Sequence, residues 1–118
     1  MRTLVGITSI VTAVITCAAA STREAPTTSS GVAGVSIRTF QFAPDTLRVS
    51  AGARVEWTNN DDIDHTITSG TPDDPKGPFR GVVTKSGATY SAVLEEAGTF
   101  RYFCDRHRFM NGTIIVTR

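Results

Sequence analysis

From residue 34 onwards apolar and polar residues alternate along most of the chain with a period of two, the pattern of strands that bury one face. Residues 35–42 (VSIRTFQF) alternate without a break until Pro44-Asp45 ends the run, and 46–49 make a short second strand before the turn at Ser50-Ala51-Gly52. Residues 53–59 (ARVEWTN) put Val55 and Trp57 on one face, and a polar turn at 59–62 leads into a strand over 65–68. Residues 69–81 carry three prolines and three glycines and read as a loop. Further strands are expected at 82–84, 89–94, 99–104 and 113–117, the last entered through an Asn111-Gly112 turn. No stretch longer than ten residues has a helical period. About seven to eight short strands at this spacing predict an all-β, two-sheet antiparallel sandwich. Trp57, Phe100, Tyr102, Val93 and Ile114 are the expected core.

The start of the chain follows another pattern. Met1-Arg2 is a basic opening, residues 4–15 carry no charge, and small residues follow over 16–20. This is the layout of a secretory signal, and the run is shorter than the roughly 18–20 apolar residues that cross a bilayer. Two processing routes stay open. Cleavage after Ala20 would free the protein, whereas Val14-Ile15-Thr16-Cys17 resembles a lipobox, with Thr16 as a departure, and would anchor it by a lipid on Cys17. Residues 21–33, rich in Ser, Thr and Pro, read as a flexible linker to a domain over 34–118. The expected location is the periplasm or the outer side of a membrane.

Composition removes several classes of function. The 118 residues hold 12 Lys+Arg and 11 Asp+Glu, a net charge of +1, which offers no electrostatic footprint for nucleic acid. With Cys17 in the leader or lipidated, Cys104 has no disulfide partner.

The residues able to do chemistry are few and grouped. Residues 102–110 (YFCDRHRFM) hold Cys104, His107 and Met110 in a Cys-x2-His-x2-Met pattern between two predicted strands. His65, the only other histidine, begins a strand after a turn, and a sandwich brings such loops together at one end. One thiolate, two imidazoles and a thioether form the donor set of a blue-copper site, whereas zinc favours Cys, His and carboxylate. The acidic group Asp61, Asp62 and Asp64 before His65 reads first as a solvated turn, with a cation-binding or partner-facing patch as the other reading.

The segments YFCDRHRFMNGTIIV and FAPDTLRVSAGARVEWTNNDDIDHTIT resemble the cupredoxin family, and the short ligand loop is most like that of amicyanins. The resemblance spans roughly residues 35–118. It implies a Greek-key β-sandwich and one type 1 copper ion that carries single electrons. It also implies His65, Cys104 and His107 as strong ligands and Met110 as the long axial one. Two departures stand out: Thr66 occupies a position where the family usually has Asn, and Arg106 and Arg108 flank His107 where amicyanins carry prolines. The Thr66 hydroxyl can both donate and accept. The arginines are expected to raise the reduction potential and attract an acidic partner, or else to be plain solvated surface.

Four protein donors leave no open metal position, and two histidines cannot build a second copper site. The reading is therefore a monomeric carrier rather than an enzyme. Redox partners would dock near His107, with Phe109 and Phe79 as candidate apolar contacts. A copper-storage protein and a metal-free structural sandwich are the alternatives.

Overall fold

The computed structural model describes residues 31–118, so the leader, the two processing sites and most of the linker lie outside the described residues. Nine strands run in chain order: β1 (Val32–Arg38), β2 (Gln41–Ala43), β3 (Thr46–Ser50), β4 (Ala53–Asn59), β5 (His65–Ser69), β6 (Arg80–Val83), β7 (Thr89–Leu94), β8 (Gly98–Phe103) and β9 (Asn111–Thr117). They form a four-stranded sheet ordered β2-β1-β4-β7 and a five-stranded sheet ordered β3-β9-β8-β5-β6. Among the described residues there is no helix.

The inward residues of both sheets make one core that includes Val35, Ile37, Val55, Trp57, Ile67, Tyr102 and Ile114. Strand β4 shows how the alternating pattern achieves this. Ala53, Val55, Trp57 and Asn59 are buried while Arg54 is exposed, as the two-residue period requires. Trp57 packs within 5.3–5.7 Å of the rings of Phe79, Tyr90 and Tyr102. Phe79 is therefore core and not a docking contact. Val93 is also reassigned: it is 44% exposed, because the inward position at that end of β7 falls to Leu94.

Three further expectations change. The sandwich is mixed rather than antiparallel, with β1 parallel to β4 and β3 parallel to β9. The chain leaves one sheet after β2, crosses to form β3, and returns as β4 beside β1. Hydrophobic alternation carries no information about strand direction, so this was invisible in the pattern. Asn111-Gly112 is not a turn; both residues lie in β9, paired with Phe103 and Tyr102. Gly112 is required there, since a Cβ would sit 2.4 Å from the Tyr102 ring. Strand β1 also begins at Val32, inside the stretch read as linker.

The run at 35–42 is not one strand. It folds back as a hairpin at Thr39-Phe40, with Arg38 paired to Gln41. Thr39 and Phe40 have φ of 53° and 58°, the left-handed region, which costs a residue with a Cβ about 1–2 kcal/mol each. Two-residue hairpins normally place Asn-Gly here. The strain is offset by Asp61, whose carboxylate accepts the Thr39 N–H at 2.7 Å and the Phe40 N–H at 2.9 Å. No local signal marks this turn, because its acceptor lies 22 residues away.

Candidate metal centre

Three of the four expected donors come from two chain segments at one end of the sandwich. His65 opens β5, and Cys104 and His107 lie in the loop between β8 and β9. The loop is tied by two backbone bonds: the Met110 N–H donates to the His107 carbonyl at 2.8 Å, and the Cys104 N–H to the Met110 carbonyl at 3.1 Å. These closures put Met110 next to the base of the loop, where its side chain is buried. His65 and Cys104 are fully buried, and His107 is half-buried.

The donor atoms form a small triangle. His65 Nδ1 and His107 Nδ1 are 3.2 Å apart, and Cys104 Sγ lies 4.0 Å from the first and 3.7 Å from the second. Those edges suit one first-row ion. Two imidazoles and one thiolate, with the thioether residue Met110 at the base of the same loop, would hold a copper ion, which takes soft sulfur donors that zinc sites seldom use.

Around the triangle, polar partners fix each donor. His65 Nε2 donates to Asp61 Oδ2 at 2.9 Å, which places the ring proton on Nε2 and leaves the Nδ1 lone pair facing the other donors. Burial pushes the Asp61 carboxyl up, but the Phe40 and Thr39 N–H groups and the His65 ring outweigh it and hold the group below the usual aspartate range. Cys104 Sγ receives the Thr66 N–H at 3.4 Å and has the Thr66 hydroxyl at 3.8 Å. That hydroxyl also accepts the Asp105 N–H at 2.7 Å. Thr66 thus joins the two ligand-bearing segments despite being shorter than Asn. Behind it, the Asp105 carboxylate accepts the Thr68 hydroxyl at 2.8 Å and meets Arg80 at 3.2 Å, which satisfies the buried polar face of β5.

A model of copper-binding proteins of the plastocyanin/azurin family matches residues 29–117. The chain belongs to that copper-binding family. Among its relatives, the amicyanin-alpha of Methylorubrum extorquens is 31% identical over 94 residues, covering 80% of this chain and 76% of its own. The plastocyanin of Scenedesmus fuscus is 34% identical over 83 residues, covering 64% of this chain and 85% of its own. In three dimensions a purple cupredoxin from Nitrosopumilus maritimus aligns with a TM-score of 0.67 at 25% identity, over 72% of this chain and 99% of its own.

In this copper-binding protein the two loop arginines are not equivalent. Arg106 lies 3.8 Å from the Asp64 carboxylate, while Arg108 has no ion-pair partner among the described residues. Asp61 is not the solvated turn residue expected, since it is bonded to the hairpin and to His65. Phe40 and Asn59 were also missed. Phe40 stands edge-on to His65 at 5.5 Å and to His107 at 4.9 Å. Asn59 is fully buried; its amide donates to the Ile63 and Val83 carbonyls and its oxygen accepts the Asp61 N–H at 2.9 Å. Two faint signals were there: a carboxylate four residues before a candidate donor histidine, and a polar residue at an inward position of β4.

Proposed function

We propose that this protein carries single electrons between exported redox partners through one type 1 copper ion held by His65, Cys104, His107 and Met110. The observation that carries the reading is the triangle of two imidazole nitrogens and one thiolate sulfur with edges of 3.2, 3.7 and 4.0 Å. Copper in such a set supplies a one-electron couple. The protein's part is to hold the donors still. Asp61 fixes the His65 ring, Thr66 holds the Cys104 sulfur against the neighbouring loop, and the two backbone bonds of the 104–110 loop set the positions of His107 and Met110. Because these supports are hydrogen bonds in a buried setting, they resist rearrangement when the charge of the centre changes.

Four protein donors leave no position for a substrate, so the chain acts as a carrier and not as an enzyme. His107 is the donor that reaches the surface, and Phe40 and Phe109, 38% and 71% exposed, lie 4.9 Å and 6.3 Å from its ring. That apolar rim with a solvent-reaching imidazole supports docking of a redox partner at this end, with Arg108, which has no ion-pair partner among the described residues, favouring an acidic face. Export rests on the basic, apolar and small-residue sequence of the first twenty residues, and intact mass of the mature protein separates cleavage after Ala20 from lipidation at Cys17.

The deciding experiment adds Cu(II) to the purified protein and to Cys104→Ser. An intense thiolate-to-copper absorption in the former alone, with reversible one-electron voltammetry, is the expected result. A colourless protein overturns the reading, and a coloured one with irreversible voltammetry points to copper storage.

A further inference from the structure

Asp61 makes three contacts at once. Its Oδ1 accepts the Thr39 N–H at 2.7 Å, and its Oδ2 accepts both the Phe40 N–H and the His65 Nε2–H at 2.9 Å. The carboxylate that orients one donor histidine therefore also holds the strained turn that carries Phe40. The Phe40 ring stands at 88° to both imidazoles, against the fully buried His65 on one side and partly exposed on the other. Beyond the imidazoles the ring meets Phe109 at 6.4 Å, and β2 is anchored to the core through Phe42. Strand β2 has three residues, lies at the edge of its sheet and pairs only with β1. Phe40 itself is 38% exposed, so its own burial is a weak reason for the turn to stay closed. Asp61, by contrast, is firmly placed: its N–H is bonded to the fully buried Asn59, and the next residue back, Asn60, is bonded through its N–H to the Ile37 carbonyl at 2.8 Å.

We propose that Asp61 is a positioning residue that ties the Phe40 turn over the metal centre and so sets the rate at which copper enters and leaves. This rests on the reading of the site as a copper centre. The physical argument is that two left-handed residues with side chains relax to extended conformations once their shared acceptor is gone. Relaxation moves the ring off the imidazoles and opens a water path to His65 and Cys104, which are otherwise buried. At the same moment His65 loses the partner that fixes its ring proton and orientation.

The test measures transfer of copper from the loaded protein to excess Cu(I) chelator, together with amide exchange of Thr39 and Phe40 in the metal-free protein. Asp61→Ala should release copper on the order of tenfold faster or more, the range in which loss of a histidine's outer partner weakens a metal site. Asp61→Asn, which keeps one acceptor oxygen, should fall between. In both, the Thr39 and Phe40 amides should exchange faster than in the wild type. Phe40→Gly relieves one of the two left-handed positions and removes the ring, so adding Asp61→Ala to it should accelerate release by less than it does alone. Should Asp61→Ala not fold, Asp61→Asn and Phe40→Gly decide the point. Wild-type release rates in the Asp61 variants, with unchanged amide exchange, would overturn the proposal. If the wild-type protein takes up no copper, the copper reading falls, while amide exchange still decides whether Asp61 holds the turn.

Discussion

The Thr66 hydroxyl oxygen accepts the Asp105 N–H at 2.7 Å, and this one bond joins the start of β5 to the residue after Cys104. Both histidine-bearing segments are thereby held in register at the point where the sulfur needs support. Thr66→Ala removes the acceptor and the weak hydroxyl contact to Sγ while leaving the Thr66 N–H in place. We expect a loss of about 1–2 kcal/mol of stability, the usual cost of leaving such a donor unpaired. We also expect a shift of the thiolate-to-copper absorption. Chemical denaturation and the visible spectrum check the two effects separately, and Thr66→Ser should retain both.

Met110 supplies the soft, weak donor in the proposed site. Met110→Leu conserves volume but removes the thioether, so the oxidised ion loses more stabilisation than the reduced one. The reduction potential should rise, with stability changed by less than about 1.5 kcal/mol. Voltammetry of the folded variant reads the sign directly, and a fall would argue against Met110 as a donor.

The loop arginines differ in surroundings but share an expected sign. Arg108→Gln should lower the potential by roughly a few tens of millivolts at low salt and weaken the ionic-strength dependence of electron transfer to an acidic partner. Arg106→Gln should lower the potential as well, because the Asp64 carboxylate 3.8 Å away is then left without its counter-charge. No change in either variant would show that these exposed charges contribute nothing.

Tyr102 is the clearest pH-sensitive group of the core. Burial pushes its hydroxyl up to about 12, opposed by the facing Trp57 indole and aided by the Asp45 charge. Neither the hydroxyl nor Trp57 Nε1 has a hydrogen-bond partner of ordinary geometry. The folded state keeps the proton longer than the unfolded chain does. Stability is therefore complete below about pH 10 and falls as pH rises from there towards 12, by about 2–3 kcal/mol. Tyr102→Phe should abolish that alkaline slope and cost little at neutral pH, since it deletes an unpaired buried hydroxyl. Denaturation midpoints between pH 8 and 12 test it.

Much of this protein was legible along the chain. Period-two alternation located most of the strands, and the limits of 89–94 proved to be those of β7. The grouping of His65, Cys104 and His107 was legible too, because Cys and His are scarce and their side-chain chemistry is intrinsic to the residue type. What the alternation could not contain was anything depending on a residue far away in sequence. Strand direction is one such property, since a strand presents the same alternating faces whichever way it runs. The Thr39-Phe40 turn is another: both residues disfavour the conformation they adopt, and the acceptor of their N–H groups is a carboxylate more than twenty residues on. The roles of Asp61 and Asn59, and the inequality of Arg106 and Arg108, likewise arise from through-space partners. Residue identity and spacing determined which atoms could bind a soft metal. Only the packing of the two sheets decided how far apart those atoms stand and what holds them there, because hydrogen bonds and ion pairs act over distance in space and take no account of distance along the chain.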